Sequence, residues 1–550
     1  MPSTTADLLL TDLDVYCNDG RGTWGREIAI KDGRILAIGA ADGDLAEFRE
    51  GPNTEVISLP GRMALPGFQD SHIHAPFAGR NRLRVWLNDV VGREEYLAII
   101  AEYAAANPDE PWIVGGGWAM EAFPGGLPRK EDLDRVVPDR PVFLFNKDVH
   151  GAWVNSKTLE LAGITKDTAD PSDGRIERDA DSGEPTGMLH EGAAYTMNDT
   201  SVPLPSRDEW EAAILNAQEH LHSLGITAWQ DAWITPGTHD AYRSLAQDGR
   251  LTARVVGALW WDRHQGLEQI PQFLAQRENG VVGNYHATTV KIMTDGVLEN
   301  YTGALLEPYC DGCGGHTDNH GLSYVEHDLL GAAVTELDKL GFQVHMHAIG
   351  DRAVRNALDA VEAARGANGM RDNRHHIAHV QIVHPDDVPR FGALDVVANC
   401  QPLWAQSDPQ MEELTVPFLG AERVGLQYPF ESMRSGGAKL AGGSDWSVTS
   451  ANALEEIDVM VNRRDPGAPA TPSFLPEERV PLDVAVAAFT SGTAYVNHDE
   501  EASGRLAAGM RADIAVLDGN IFSLQEGREG TVADASVEMT LAAGTVVHHR

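Results

Sequence analysis

The chain has 550 residues, of which 42% are hydrophobic, and a formal net charge of -39 at pH 7. This length allows one large domain with a smaller companion and a sizeable buried core. The negative charge disfavours nucleic acids and anionic lipid surfaces as partners, and we find no long apolar run and no signal-peptide pattern. Four cysteines do not make a disulfide framework. We expect a globular cytoplasmic protein without nucleic-acid or membrane partners.

Short alternating segments at both ends of the chain predict a small β domain. They lie between residues 8 and 60 and at 514–517, 537–541 and 545–547. Period-two alternation broken by Gly and Asp is typical of antiparallel strands. A barrel returns its chain near the start, so we assign residues 1–62 and 497–550 to one composite β-sandwich.

From residue 207 onward, helical patterns alternate with short apolar strands. Ser206 and Glu209 have the spacing of a capping box, and Gly225 is a stop signal. With a first strand at 63–72, this gives eight strands, the later ones at 226–230, 253–259, 288–293, 342–347, 376–380, 396–400 and 440–443. Such alternation predicts an α/β fold, a (β/α)8 TIM barrel over residues 63–496. An open doubly wound sheet is the alternative, although no phosphate-binding glycine motif follows the first strand.

Residues 75–206 form an insertion that is too long for a barrel loop. It leaves the carboxyl end of the first strand, so we expect it to cover the barrel mouth, where barrel enzymes build their active sites. Trp118, His150 and Trp153 in this insertion are candidate substrate-binding residues. Packing inside the insertion explains such aromatic side chains equally well.

Side chains that can bind metal recur where the predicted barrel strands end. His72 and His74 share one face of the first strand, because alternate strand residues point the same way. Later strand ends add Lys291, His347, His379 and Asp445. Each residue alone has an ordinary structural explanation, but together they are what a transition-metal hydrolase requires. The sequence therefore predicts a metal site at the barrel mouth.

A second group of potential ligands lies in a Gly- and Asp-rich loop. It consists of Cys310, Cys313, His316 and His320. These residue types bind structural zinc, but the spacing is too short for an ordinary zinc finger. We favour a plain polar loop.

Seven motifs are spread over nearly the whole chain. They are Leu65 to His74, Asp148 to Ser156, Val290 to Gly296, His347 to Asp351, Ile377 to Gln381, Gly443 to Asp445 and Gly504 to Asp513. As a set they resemble the amidohydrolase superfamily, in particular the amidohydrolase family 3 branch that includes N-substituted formamide deformylases. Ala378 departs from the branch, which commonly has Glu before the histidine of strand six.

The resemblance implies a metal-dependent hydrolase that binds one or two zinc ions. In two-metal members, the lysine that matches Lys291 is carboxylated and bridges the ions. Asp445 matches the strand-eight carboxylate, which exchanges a proton with the attacking water. The implied metal ligands are His72, His74, Lys291, His347, His379 and Asp445.

The implied substrate is a small-molecule amide, with cleavage at a carbon–nitrogen bond other than a peptide bond. Our leading hypothesis is an N-substituted formamide, which would give an amine and formate. Longer N-acyl amides, cyclic amides, carbamates and esters stay open, and so does homodimer formation. A binding or regulatory protein on an inactive barrel is the non-enzymatic alternative, against which the filled ligand positions argue.

Overall fold

A nearly closed barrel of eight parallel strands, β1 to β8, lies at the centre of the computed structural model. The structure describes residues 5–50, 54–468, 470–527 and 531–550. The barrel strands are Phe68–Ile73, Ile226–Ile234, Arg254–Trp260, Tyr285–Met293, Gln343–Ala348, His376–His379, Val397–Cys400 and Leu440–Gly442. Each strand pairs in parallel with the next one along the chain. This order confirms the predicted (β/α)8 barrel and excludes the open doubly wound sheet.

Side chains and loop backbone join β1 to β7, to β8 and to the loop after β8, where the barrel closes. The Ser71 hydroxyl donates to the carbonyl oxygen of Gly442 at 2.8 Å, and the Asn399 amide donates to the Ser71 carbonyl at 3.0 Å. The backbone N–H of Asp445 donates to the carbonyl of His72 at 2.8 Å. These contacts hold the first and last strands of the barrel together beside the predicted ligands.

In the part of the chain that the structure describes, eight helices alternate with the barrel strands. They are Arg207–Ser223, Pro236–Gln247, Ile270–Asn279, His327–Lys339, Asp351–Asn368, Val388–Leu394, Phe430–Ser435 and Ala453–Asn462. The first begins at the predicted capping box, in which Ser206 and Glu209 each accept from the other's backbone N–H. Its apolar stripe buries Ile214 and Leu221 in the barrel core, which stabilises the fold by about 1.5–3 kcal/mol per side chain. Within the described ranges, no helix has the length and apolarity needed to cross a membrane.

Strands from both termini build two further sheets. One has the order Arg34–Gly39, Glu27–Lys31, Leu8–Thr11, Glu55–Ser58. The other has the order Thr545–His549, Val537–Ala542, Ile514–Leu517, Met63–Pro66, Asp14–Tyr16, Trp24–Gly25. Apolar residues of the two sheets share one buried cluster, which includes Leu10, Ile28, Val516 and Leu541. Three short helices, Leu482–Ala487, Thr493–Val496 and Ile521–Gly527, lie in the C-terminal part of the chain.

The first predicted strand, residues 63–72, is divided in the structure. Met63–Pro66 belongs to the six-stranded terminal sheet and pairs with Ile514–Leu517, whereas the barrel strand starts at Phe68. Gly67 separates the two parts, and a Cβ atom there would lie 2.5 Å from the Thr227 hydroxyl oxygen. A single apolar run thus contributes strands to two sheets. This is possible because Gly67, which has no side chain, lets the backbone pass close to β2.

The insertion after β1 contains its own six-stranded sheet. The order is Gly174–Arg178, Pro185–Glu191, Gly151–Val154, Val142–Asn146, Ile113–Trp118, Val85–Trp86. Its helices are Ala75–Arg82, Arg93–Ala106, Lys130–Val136, Ser156–Ala162 and Gly192–Thr200. Residues of this insertion, including His150 and Tyr195, line a pocket together with the predicted barrel ligands.

Candidate active site

The ends of β1 and β8 bring three predicted ligands together. Nε2 of His72 lies 3.2 Å from Oδ1 of Asp445, and Nε2 of His74 lies 3.0 Å from the same oxygen. Among the side chains that the structure describes, this is the one group of His, Cys, Asp and Glu whose ligand atoms all lie within 4.8 Å of one another.

The remaining predicted ligands border the same pocket. The ring of His379 lies 4.7 Å from that of His72 and 4.5 Å from that of His347, measured between centroids. Lys291 is 1% exposed and lines the pocket with them. In the part of the chain that is described, no carboxylate forms a salt bridge with the lysine. Burial lowers the pKa of Lys291 to about 7, although the charge of Asp445 opposes this change.

The protonation states of these groups are those that metal binding needs. Burial lowers the pKa of His72 to about 3, so its imidazole is neutral at pH 7. Burial alone would raise the pKa of Asp445, but the neighbouring His72 and His74 hold it well below its ordinary value. Neutral histidines and an ionised carboxylate are the forms that ligate metal ions.

The residues present fit a metal ion of the transition series. Oδ1 of Asp445 is buried and accepts no hydrogen bond within the described ranges, although two imidazole nitrogens lie within 3.2 Å of it. Donor atoms that converge without hydrogen bonding one another are arranged for a common partner, and imidazole with carboxylate suits zinc and similar ions. His347 donates through Nε2 to the Gly296 carbonyl at 3.2 Å, which leaves Nδ1 with the lone pair.

Left-handed backbone conformations mark the residues around the site. The φ angle is 76° at His379 and 56° at Asp445, and 65° at Val149 in the insertion. Such conformations are uncommon for residues other than glycine and cost of order 1–3 kcal/mol each. The structure accepts this strain where the chain turns to present side chains to the pocket.

A buried ion pair in the insertion faces the barrel ligands. Nδ1 of His150 lies 2.8 Å from Oε2 of Glu191, and Oε1 of Glu191 accepts from the Thr302 hydroxyl at 2.7 Å. Burial disfavours both charges, but the pair holds the pKa of His150 up at about 9 and that of Glu191 down at about 2. The His150 ring lies 5.6 Å from that of His347. An imidazolium therefore lines the pocket, with Nε2 not occupied by the glutamate.

Space around the site is strongly asymmetric. The pocket at the ligands has a volume of about 50 Å³, and on one side a further pocket of about 20 Å³ is lined by Glu299, Trp404 and Tyr428. On the other side lies a cavity of about 630 Å³. The ligand pocket and this large cavity share His74, Phe77, Tyr195, Trp233, Trp260 and Met293.

Two of the three predicted substrate-binding residues lie elsewhere. Trp118 and Trp153 are fully buried in the core of the inserted sheet, with their rings 6.1 Å apart. Their indole N–H groups donate to the carbonyls of Leu144 and Arg129. The pocket interpretation is therefore corrected for these two, because the inserted sheet points them toward its own core. His150 does line the pocket.

The cysteine-containing loop does not form a ligand cluster. Cys310 is buried near Arg423 and Cys313 is exposed. Nδ1 of His320 lies 3.3 Å from the Leu305 carbonyl oxygen. Throughout the described ranges, the ligand atoms of this loop do not converge, in agreement with the polar-loop interpretation.

Several pocket residues were not anticipated from the sequence. Trp233 and Trp260 come from the ends of β2 and β3, and Tyr195 comes from an insertion helix. Their position at strand ends was the one signal that could have identified the two tryptophans. We assigned no site residue to β2 or β3 because neither strand ends in a histidine. The Glu191 partner of His150 had no local signal, because the pairing joins residues 41 positions apart.

Ligand-bearing strand ends on a (β/α)8 barrel, covered by an insertion, define a barrel hydrolase of the metal-binding type. The chain belongs to the amidohydrolase family, whose profile matches residues 55–548. It is thus a hydrolase of carbon–nitrogen bonds.

Three similar proteins span nearly the whole chain. "Protein LONG AFTER FAR-RED 3" of Arabidopsis thaliana is 32% identical, over 94% of this chain and 88% of its own length. The N-substituted formamide deformylase of Arthrobacter pascens is 27% identical, over 93% of each chain. A solved structure of an uncharacterized metal-dependent hydrolase from Pyrococcus furiosus is 27% identical and superposes with a TM-score of 0.71, over 93% of this chain and 99% of that one.

Proposed function

We propose that this enzyme removes a small acyl group, with formyl the leading candidate, from an amine that carries a bulky N-substituent. The asymmetry of space at the site carries the proposal. A cavity of about 630 Å³ on one side accepts the substituent, whereas the pockets of about 50 and 20 Å³ leave little room for an acyl chain. A single water needs roughly 10–15 Å³ by the same kind of measure. Similarity to a formamide deformylase supports the same assignment.

Metal binding is assigned to the barrel ligands, with zinc as the proposed ion because imidazole and carboxylate suit it. Lys291 is proposed to carry a carbamate, since a buried amine without a carboxylate partner among the described residues becomes an anionic ligand in that form. The bound metal supplies the activation of water and the polarisation of the substrate carbonyl. The proposed ligand set is His72, His74, Lys291, His347, His379 and Asp445.

The chain's own groups supply proton transfer and orientation. Asp445 is ionised and lies at the convergence point, so we assign it to accept the proton of the attacking water and return it to the leaving nitrogen. His150 is held as an imidazolium by Glu191, and its Nε2–H is assigned to donate to the substrate carbonyl oxygen. Trp233 and Trp260 exclude water along the wall of the large cavity.

Formate release from N-benzylformamide by the metal-loaded protein tests this function. N-benzylacetamide and N-benzylhexanamide are compared at equal concentration, and a chelated sample is measured in parallel. We expect formate release that is lost on chelation, with kcat/KM falling as the acyl chain lengthens. Equal or faster hydrolysis of the longer amides, or no formate from protein that holds metal, would contradict the formyl assignment.

A further inference from the structure

Arg80 is a buried cation in the wall of the large cavity. It lies on the helix Ala75–Arg82, which begins directly after His74, and it is 8% exposed. Its guanidinium carbon lies 5.6 Å from the centroid of the Trp210 ring, and both side chains line the cavity. Nε of Arg80 is buried and has no hydrogen-bond partner within the described ranges.

Arg80 differs from the other charged groups of the cavity because they already have partners. Arg263 forms an ion pair with Asp173 at 2.7 Å. Asp231 accepts from the Tyr242 hydroxyl at 2.8 Å, and Asp262 accepts from Gln265 at 2.8 Å.

The nearby carboxylate of Glu209 does not neutralise Arg80. Glu209 pairs with Arg84 and caps the following helix. Burial lowers the pKa of Arg80 only to about 10, so its guanidinium stays charged at pH 7. No described carboxylate lies within salt-bridge distance of it, and a buried cation without a partner is costly unless a ligand completes it.

We propose that Arg80 binds a carboxylate at the far end of the substrate's N-substituent. The inference rests on the proposed function, and it names the substrate class as an N-acyl amine whose apolar, ring-sized substituent ends in a single carboxylate. A guanidinium fork matches a carboxylate with two parallel hydrogen bonds. Asp199, Asp231 and Asp262 also line the cavity, so a monoanion is accommodated with less repulsion than a phosphate dianion.

The spacing along the helix fits a substituent of about one ring. Arg80 follows the ligand His74 by six residues, which corresponds to about 9 Å along a helix axis. The intervening walls are aromatic, with Phe77, Tyr195 and Trp233 between the ligand pocket and the wider cavity. A benzyl group that carries a para carboxylate therefore bridges the distance from the scissile amide to the guanidinium.

A pair of isosteric substrates tests the proposal. Hydrolysis of the carboxylate 4-(formamidomethyl)benzoate and of its neutral carboxamide is measured with the wild-type holoenzyme, with Arg80→Gln and with Arg82→Gln. Arg82 lies on the same helix, carries the same charge and does not line the cavity. We expect the wild type to favour the carboxylate by about 10- to 100-fold in kcat/KM, the range for hydrogen bonds to charged groups. The ratio falls to near one in Arg80→Gln and persists in Arg82→Gln.

Binding measured without turnover separates this proposal from the proposed function. Calorimetric titration of the holoenzyme with 4-methylbenzoate and with 4-methylbenzamide needs no hydrolysis, so inactivity toward formamides does not affect it. Tighter binding of the benzoate, lost in Arg80→Gln and kept in Arg82→Gln, supports the site. Equal binding of the two probes by the wild type overturns it whether or not the variant folds, and so does a benzoate preference retained by Arg80→Gln.

Discussion

Nδ1 of His72 lies 2.8 Å from Nε2 of His345, so a second buried histidine holds this proposed metal ligand in place. Nδ1 of His345 in turn lies 2.8 Å from Oε1 of Gln230, whose amide nitrogen donates to Gln343 and Asn497. Since an amide oxygen only accepts, His345 carries its proton on Nδ1 and accepts through Nε2. His72 must then donate from Nδ1, which leaves the lone pair of Nε2 directed at the proposed metal position.

Removal of His345 is expected to weaken metal binding. In His345→Ala, the ring of His72 loses the partner that fixes its tautomer, and such losses typically cost 10- to 100-fold in metal affinity. Competition with a chelator of known affinity measures the change. His222→Ala removes another buried histidine, bonded to Ile226 and Thr252, and should leave metal affinity unaltered. Equal affinity in His345→Ala and wild type would refute the orienting role.

Replacement of Asp445 is expected to stop proton transfer. Asp445→Asn keeps the shape of the side chain but removes the ionised acceptor, and loss of such a group typically costs 10²- to 10⁴-fold in turnover. Turnover must be normalised to metal content from elemental analysis, because Asp445 is also a proposed ligand. Asp240→Asn, a surface change of equal charge, serves as the control. Full activity per bound metal in Asp445→Asn would remove Asp445 from the proton-transfer role.

Trp233 and Trp260, which line the large cavity, are expected to select substrates by the size of the N-substituent. Trp260→Ala should raise KM for N-benzylformamide by about 10-fold, since an aromatic contact is lost, and should change KM for N-methylformamide much less. The ratio of the two KM values is the measurement. Trp24→Ala removes an indole that packs on Tyr16 in the terminal sheet and provides the control. A parallel rise for both substrates would point to general damage instead of substituent recognition.

The ionised carboxylate of Asp338 is expected to contribute to the free energy of unfolding, and this contribution is expected to be lost at acid pH. Its carboxylate accepts from His375 at 2.9 Å and from Asn368 and Asn373 at 2.8 Å each, behind the start of β6. Burial opposes ionisation, but these bonds lower the pKa of Asp338 from 3.8 to about 2. A lowered folded-state pKa gives stability that is complete above pH 3.8 and is lost as the pH falls toward 2.

Asp338→Asn should therefore lower the free energy of unfolding at pH 7 by about 3–5 kcal/mol, the usual cost of breaking a buried charged network. It should also flatten the decline in stability between pH 4 and pH 2. Urea unfolding at several pH values measures both effects. Asp328→Asn, exposed at the start of the same helix, should cost less than about 1 kcal/mol. If the stability of Asp338→Asn declines between pH 4 and pH 2 as steeply as that of the wild type, other carboxylates control this decline.

The sequence predicted what local pattern encodes and missed what long-range contact decides. The strand ends at His347 and His379 were recognisable because a ligand type follows a short apolar run. Trp118 also ends a strand, yet the face it occupies depends on how the inserted sheet packs, and this has no signature in residue order. Among the described residues, Arg80 has no carboxylate partner because Glu209 pairs with Arg84 instead. Only the packing of the helices in the folded chain determines this pairing.

The division of the first strand at Gly67 links the order of synthesis to the order of assembly. Met63–Pro66 leads into the proposed ligands His72 and His74, but its pairing partner, Ile514–Leu517, is synthesised only after all eight barrel strands. Asp445 likewise joins them only after β8 has been synthesised. The nascent chain therefore cannot complete the proposed metal site until the whole barrel has emerged, which would make ion capture a late step in the maturation of the enzyme.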